Sequence, residues 1–100
     1  MSKAIIIEGM NGSGKSVLAK KLANYFDKLY YHPGLGPQNI IHLIKSLDEQ
    51  IYMINNGKVI DRTVLFSEQV YGNGKLVPNM FLDNLAKELA DKYVLIYKIY

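Results

Sequence analysis

The chain has 100 residues, the size of one small domain, and we expect residues 1–100 to form a single unit. Its apolar fraction of 49% and charged fraction of 21% are typical of a globular protein rather than a disordered one. A net charge of +3, without a run of like charges, predicts no nucleic-acid partner. The absence of cysteine excludes disulfides, zinc–thiolate sites and thiol catalysis. No apolar stretch approaches the about 20 residues of a membrane span, and no apolar leader follows Met1, so we expect a cytoplasmic protein without a membrane partner.

The first part of the chain predicts a strand, a turn, a helix, a weaker second strand and a loop. Residues 4–8 form a β-branched run typical of a strand buried on both faces. A glycine-rich turn follows, and residues 15–24 read as a helix whose apolar stripe is Leu18, Leu22 and Tyr25. Residues 28–31 carry a weak strand signal, and residues 32–37 form a loop because two prolines and two glycines interrupt regular structure.

The second half repeats this alternation. The clearest helix pattern is an apolar residue every third or fourth position, formed by Ile40, Ile44, Leu47, Ile51 and Ile54. A strand is predicted over residues 58–61, a short helix over 65–71, a further helix over 79–90 and a last strand over 93–97.

Strands that alternate with helices predict an α/β fold with a parallel sheet, right-handed crossovers and flanking helices. Because the last predicted strand runs almost to the final residue, we expect the sheet to be incomplete at its C-terminal end.

One motif carries chemistry. Residues 9–16 match the pattern G-x-x-x-x-G-K-[ST], which lies between a predicted strand and a predicted helix. Glycines let backbone N–H groups converge on a phosphate, and the helix that follows adds its own N–H groups and positive dipole end. Lysine then reaches the β- and γ-phosphates, and the final hydroxyl is placed to ligate Mg²⁺. The predicted phosphate-binding residues are Gly9, Met10, Asn11, Gly12, Ser13, Gly14, Lys15 and Ser16. With this motif, the expected α/β fold is of the P-loop NTPase type. The motif alone leaves kinases, ATPases, GTPases and transporter subunits open.

A second constellation is Asp61–Arg62, at the carboxyl end of the strand over residues 58–61. If that strand neighbours the first one, Asp61 can hold Mg²⁺ through water, accept a hydrogen bond from Ser16 or orient an acceptor. Alternatively, it caps the following helix. Arg62 is the only arginine among 12 basic residues, and its planar fork suits a second phosphate in the same crevice.

These residues resemble the thymidylate kinase and deoxynucleoside kinase group of P-loop kinases. The opening strand and loop resemble that family's FEG-x-DGSGKST, residues 32–34 resemble the end of an REPGG loop, and the segment from Asp61 to Tyr71 resembles DR followed by S-x-x-x-Y. The resemblance implies transfer of the ATP γ-phosphoryl group, with Mg²⁺, to a small-molecule nucleotide acceptor. By position, Lys15, Asp61 and Arg62 are the catalytic residues, Ser16 and Asp61 hold the metal, and Arg62 and Tyr71 bind the acceptor.

The sequence departs from the family pattern at several points. Asn11 replaces the family's loop aspartate, and Tyr31–His32 replaces its Arg–Glu pair. The family's lid would follow the last predicted strand. Three readings therefore remain: a nucleotide kinase, a nucleotide-binding fragment that works without turnover or with a partner chain (a homodimer included), and another P-loop ATPase.

Overall fold

The computed structural model describes residues 3–9, 13–34, 36–66 and 76–98. Its elements follow the predicted order, with somewhat different bounds. They are β1 (Ala4–Gly9), α1 (Lys15–Tyr25), β2 (Tyr30–Tyr31), α2 (Ile40–Asn55), β3 (Val59–Asp61), α3 (Asn79–Glu88), a 3₁₀ turn (Ala90–Lys92) and β4 (Tyr93–Lys98). The sequence predicts a short helix over residues 65–71. The structure has helix over residues 64–66, and residues 67–71 lie outside the described residues.

The four strands form one sheet in the order β2-β3-β1-β4, and every neighbouring pair is parallel. This confirms the expected α/β class with a parallel sheet and flanking helices. The register sets Ile7 beside Asp61 and Gly9 beside Lys98. The carboxyl ends of β1, β3 and β4 therefore lie along one edge of the sheet, where the turn between β1 and α1 begins.

Each face of the sheet packs its own core, because side chains alternate along a strand. On one face, Ala19 and Ala23 of α1 pack against Ile5, Ile7 and Val59. On the other face, α2 and α3 contribute to a larger core, whose buried members include Ala4, Ile6, Leu43, Leu47, Ile54, Ile60, Leu82 and Leu89. The sheet is thus covered by helices on both sides, as a parallel sheet requires.

The predicted apolar stripe of α1 is right in part: Leu18 and Leu22 pack against the core, whereas Tyr25 does not. Ala19 and Ala23 are buried, Leu18 and Leu22 lie at the margin of the core, and Tyr25 is 81% exposed. Small side chains at the contact let a helix approach the sheet closely, which places the larger neighbours at the sides.

The stripe of α2 is wrong in its first half. Ile44 is 58% exposed, whereas Leu43 is fully buried. Leu47 and Ile54 are buried as predicted, and the remaining buried position is the polar residue Gln50. The residues of α2 that are buried recur every third or fourth position, like the predicted ones. Periodicity alone therefore does not distinguish the buried set from the predicted set.

In the described ranges, none of the helices combines the length and the apolar content that crossing a membrane requires.

Candidate functional site

The turn after β1 is shaped by two glycines. Gly9 has φ 153°, and a Cβ atom at this position would lie 2.2 Å from the carbonyl oxygen of Lys98 on β4. Gly14 is the N-cap of α1 in the left-handed conformation, with φ 82°, and among the described residues no side chain caps the helix. Within that part of the chain, the N–H groups of the first turn of α1 have no capping side chain, which is the arrangement that favours a bound anion.

Two further residues of the motif are buried, one just before α1 and one at its start. Lys15, the first residue of α1, is 9% exposed, and Ser13 is 6% exposed with its Oγ atom unpartnered among the described residues. A lysine buried to this extent is normally paired with an anion. A phosphate group would supply that charge, together with an acceptor for the Ser13 hydroxyl.

Asp61 connects this turn to the neighbouring strand. It ends β3, is fully buried, and accepts a hydrogen bond from the Ser16 hydroxyl at 2.7 Å. The contact between Ser16 and Asp61 was one of the alternatives that the sequence left open, and it is present. The alternative role as a helix cap falls instead to Thr63, whose hydroxyl accepts from the N–H of Leu65 at 3.3 Å.

The Asp61 carboxylate has a second donor that the sequence did not reveal. The Tyr30 hydroxyl, from β2, donates to the same oxygen, Oδ2, at 2.6 Å. The other oxygen, Oδ1, is buried and has no hydrogen-bond partner among the described residues. Burial, and then the hydrogen bond to Asp61, raise the pKa of Tyr30 to about 12, so this hydroxyl keeps its proton at neutral pH.

These oxygen atoms suit a magnesium ion. Mg²⁺ prefers hard oxygen ligands and is typically held by one or two carboxylates together with waters and substrate phosphates. Ser16 and Asp61 supply a hydroxyl and a carboxylate of this type, and Asp61 Oδ1 is buried without a partner in the part of the chain that the structure describes. No group of three or more potential metal-ligating side chains occurs among the residues that the structure describes. A hydroxyl and a carboxylate of this kind fit a metal that is bound together with phosphate.

Arg62 has an unusual backbone. Its φ is 74°, its N–H donates to the carbonyl of Ile7 at 2.9 Å, and its Nη2 atom donates to the carbonyl of Gly34 at 2.7 Å. The guanidinium thus reaches the loop after β2, the segment that resembles the end of an REPGG loop. A left-handed conformation at a non-glycine residue costs free energy and persists where its surroundings impose it.

A buried polar network supplies those surroundings. Glu8 accepts from the N–H of Thr63 at 2.8 Å, and Gln50 accepts from the Thr63 hydroxyl at 2.6 Å and from the N–H of Val64 at 2.9 Å. These contacts fix the backbone on the C-terminal side of Arg62. The sequence signal that could have revealed the network is a glutamine on the apolar stripe of α2.

Four predicted site residues lie outside the described residues: Met10, Asn11, Gly12 and Tyr71. The described ones lie at the carboxyl edge of the sheet, in the turns that follow it or in the first turn of α1; they are Gly9, Ser13, Gly14, Lys15, Ser16, Asp61 and Arg62.

Comparison of the chain with protein-family models, with curated proteins and with solved structures found no match.

Proposed function

We propose that this chain binds ATP with Mg²⁺ at the turn between β1 and α1 and transfers the γ-phosphoryl group to a nucleoside monophosphate, as a kinase of the thymidylate kinase type. The observation that carries the proposal is the hydrogen bond between Ser16 and the buried Asp61, at the end of a glycine turn whose lysine is also buried. Ser16 follows the motif lysine in the sequence, but the parallel pairing of β1 and β3 is what brings the Asp61 carboxylate to Ser16.

The nucleotide-binding half of the proposal rests on charge and on free N–H groups. Backbone donors at the start of α1 and the ammonium of Lys15 would bind the β- and γ-phosphates. Ser16 and Asp61 would hold Mg²⁺, which, when bound, neutralises charge that develops on the phosphate oxygens. Asp61 Oδ2 accepts hydrogen bonds from the Ser16 and Tyr30 hydroxyls, and Oδ1 has no hydrogen-bond partner among the described residues, which suits this role.

The acceptor half rests on Arg62. Its guanidinium has five N–H donors, of which Nη2 engages Gly34. The remaining donors suit bidentate contact with an acceptor phosphate beside the loop after β2. An oxygen of that phosphate attacks Pγ, the bond from Pγ to the bridging oxygen of ADP breaks, and ADP leaves with its electron pair. The chain's residues act by positioning and by charge stabilisation, which is what phosphoryl transfer chiefly demands.

Direct titration with ATP in the presence of Mg²⁺ tests the nucleotide-binding half. Lys15→Ala removes the buried ammonium, whereas Lys21→Ala removes an exposed ammonium from the same helix and serves as the matched control. A hydrogen bond to a charged group contributes about 1.5–3 kcal/mol. Lys15→Ala should therefore weaken ATP binding by roughly 10- to 100-fold, and Lys21→Ala should leave it unchanged. Equal affinities of the two variants for ATP would refute the site.

An ADP-release assay with a panel of nucleosides and their monophosphates tests the acceptor half. We expect ADP release to depend on a monophosphate. Arg62→Lys should impair use of the monophosphate more than ATP binding, because the lysine ammonium cannot make the bidentate contact of the planar guanidinium. Release that is indifferent to every acceptor would favour an ATPase. Tight ATP binding without release would favour a binding module.

A further inference from the structure

The tyrosine beside Asp61 is held in place from several sides. Tyr30 forms half of the short strand β2, and its ring packs against the core under α1. The ammonium of Lys20 lies 5.6 Å from the centre of the ring. A ring fixed in this way presents its hydroxyl at one point, and at that point lies Asp61 Oδ2.

The two oxygens of Asp61 are consequently not equivalent. Oδ2 accepts two hydrogen bonds, from the Ser16 hydroxyl at 2.7 Å and from the Tyr30 hydroxyl at 2.6 Å, whereas Oδ1 is buried and unpartnered among the described residues. A buried carboxylate oxygen without a partner costs free energy unless a ligand satisfies it. Without Tyr30, Ser16 alone would leave the carboxylate free to rotate about its χ2 bond and exchange its two oxygens.

We propose that Tyr30 is a positioning residue for Mg²⁺ binding: its hydroxyl fixes the Asp61 carboxylate so that Oδ2 stays with Ser16 and Oδ1 remains available to the metal or to a water bound to it. This inference rests on the proposed function and extends it to a residue of the edge strand. Tyr30 touches neither nucleotide nor metal, and it acts through Asp61 alone.

Tyr31 provides a matched control. It is the other residue of β2, and its hydroxyl donates to Glu49 of α2, on the opposite side of the sheet from Tyr30. Tyr30→Phe and Tyr31→Phe each keep the ring and remove one hydroxyl that ties β2 to a neighbour. If the hydroxyls served only to hold β2 in the sheet, the two variants would behave alike.

The experiment is a magnesium chloride titration of ATP binding, at fixed ATP, for the unaltered chain and both variants, with a parallel series in EDTA. Loss of a group that orients a metal ligand typically lowers metal affinity by about 10- to 100-fold. We expect Tyr30→Phe to raise the Mg²⁺ concentration at half-saturation by roughly 10-fold or more. Affinity for metal-free ATP should stay within about twofold, and Tyr31→Phe should change neither quantity.

Three outcomes would overturn the inference: a half-saturation point unchanged or lowered by Tyr30→Phe, an equal shift in both variants, or an equal loss of metal-free ATP binding. Equal ATP affinity of the unaltered chain and the Lys15→Ala variant would instead refute the proposed function itself. Should Tyr30→Phe fail to fold, the ¹³Cζ resonances of Tyr30 and Tyr31 in the unaltered chain provide the same test. Adding Mg²⁺ to the ATP complex should shift the Tyr30 resonance more than that of Tyr31, and an equal response of both would contradict the positioning role.

Discussion

Replacing Gly9 by alanine tests how closely β4 approaches the turn after β1. The new Cβ would lie 2.2 Å from the Lys98 carbonyl oxygen, whereas ordinary contacts begin at 3.4 Å. Because that oxygen belongs to the backbone, either β4 or the turn must move by about 1 Å, and overpacking of this kind costs about 1–3 kcal/mol. The φ of 153° adds a backbone cost of about 1–3 kcal/mol for a residue with a side chain.

Two other glycines separate these contributions. At Gly14 the φ is 82°, but no atom of the described residues lies within 4 Å of the position that a Cβ would take, so we expect Gly14→Ala to carry backbone strain alone. At Gly36 the described part of the chain likewise places no atom within 4 Å, and φ is outside the left-handed range, so Gly36→Ala should change the free energy of unfolding by less than about 1 kcal/mol.

Urea unfolding followed by circular dichroism measures all three variants. We expect Gly9→Ala to lower the free energy of unfolding by about 2–5 kcal/mol, a large part of the about 5–15 kcal/mol typical of a native domain. Gly14→Ala should lower it by about 1–2 kcal/mol. A loss for Gly9→Ala no greater than that for Gly14→Ala would refute the close approach of Lys98.

Two further predictions concern the core and the response to pH. Leu43→Ala should destabilise the fold by about 2–5 kcal/mol and Ile44→Ala by less than about 1 kcal/mol, because Leu43 is fully buried and Ile44 is 58% exposed; equal shifts in the urea midpoint would contradict the assigned buried face of α2. The raised pKa of Tyr30, about 12 against an ordinary 10.0, means that the folded state favours the neutral hydroxyl. Its stabilising contribution is complete below about pH 10 and is lost as the pH rises towards about 12. Urea unfolding across that range should show a smaller loss of stability for Tyr30→Phe than for the unaltered chain, and parallel curves would contradict the pKa shift.

The order of elements and the sheet class could be predicted because they depend on coarse features of the sequence. The β-branched runs before Gly9 and before Arg62 are short and uninterrupted, and the helices between them have a clear period. The buried faces of the helices were harder to predict. A helix that carries both alanines and leucines can bury either set, and the sheet it packs against decides which.

The candidate site could likewise be predicted from the sequence only in part. The contact between Ser16 and Asp61 follows from a local motif, which the sequence indicated, and from the pairing of β1 with β3, which the sequence left as a condition. Tyr30 could not be assigned to Asp61 beforehand, because its strand signal was weak and its partner is 31 residues away in the chain. The network of Glu8, Thr63 and Gln50 likewise joins three separate elements, so no local pattern announces it.

The shortness of β2 has a consequence for how the protein opens. This two-residue strand lies at the border of the sheet, yet its tyrosines are tied to opposite faces, Tyr30 to Asp61 and Tyr31 to Glu49. Edge strands with few backbone hydrogen bonds exchange their amide hydrogens through local opening, which requires less free energy than global unfolding. Each such event detaches the Tyr30 hydroxyl from Asp61, while the centre of the sheet stays intact and Ser16 remains a donor. The carboxylate therefore has both of its hydroxyl donors only for the fraction of time that this two-residue segment is docked.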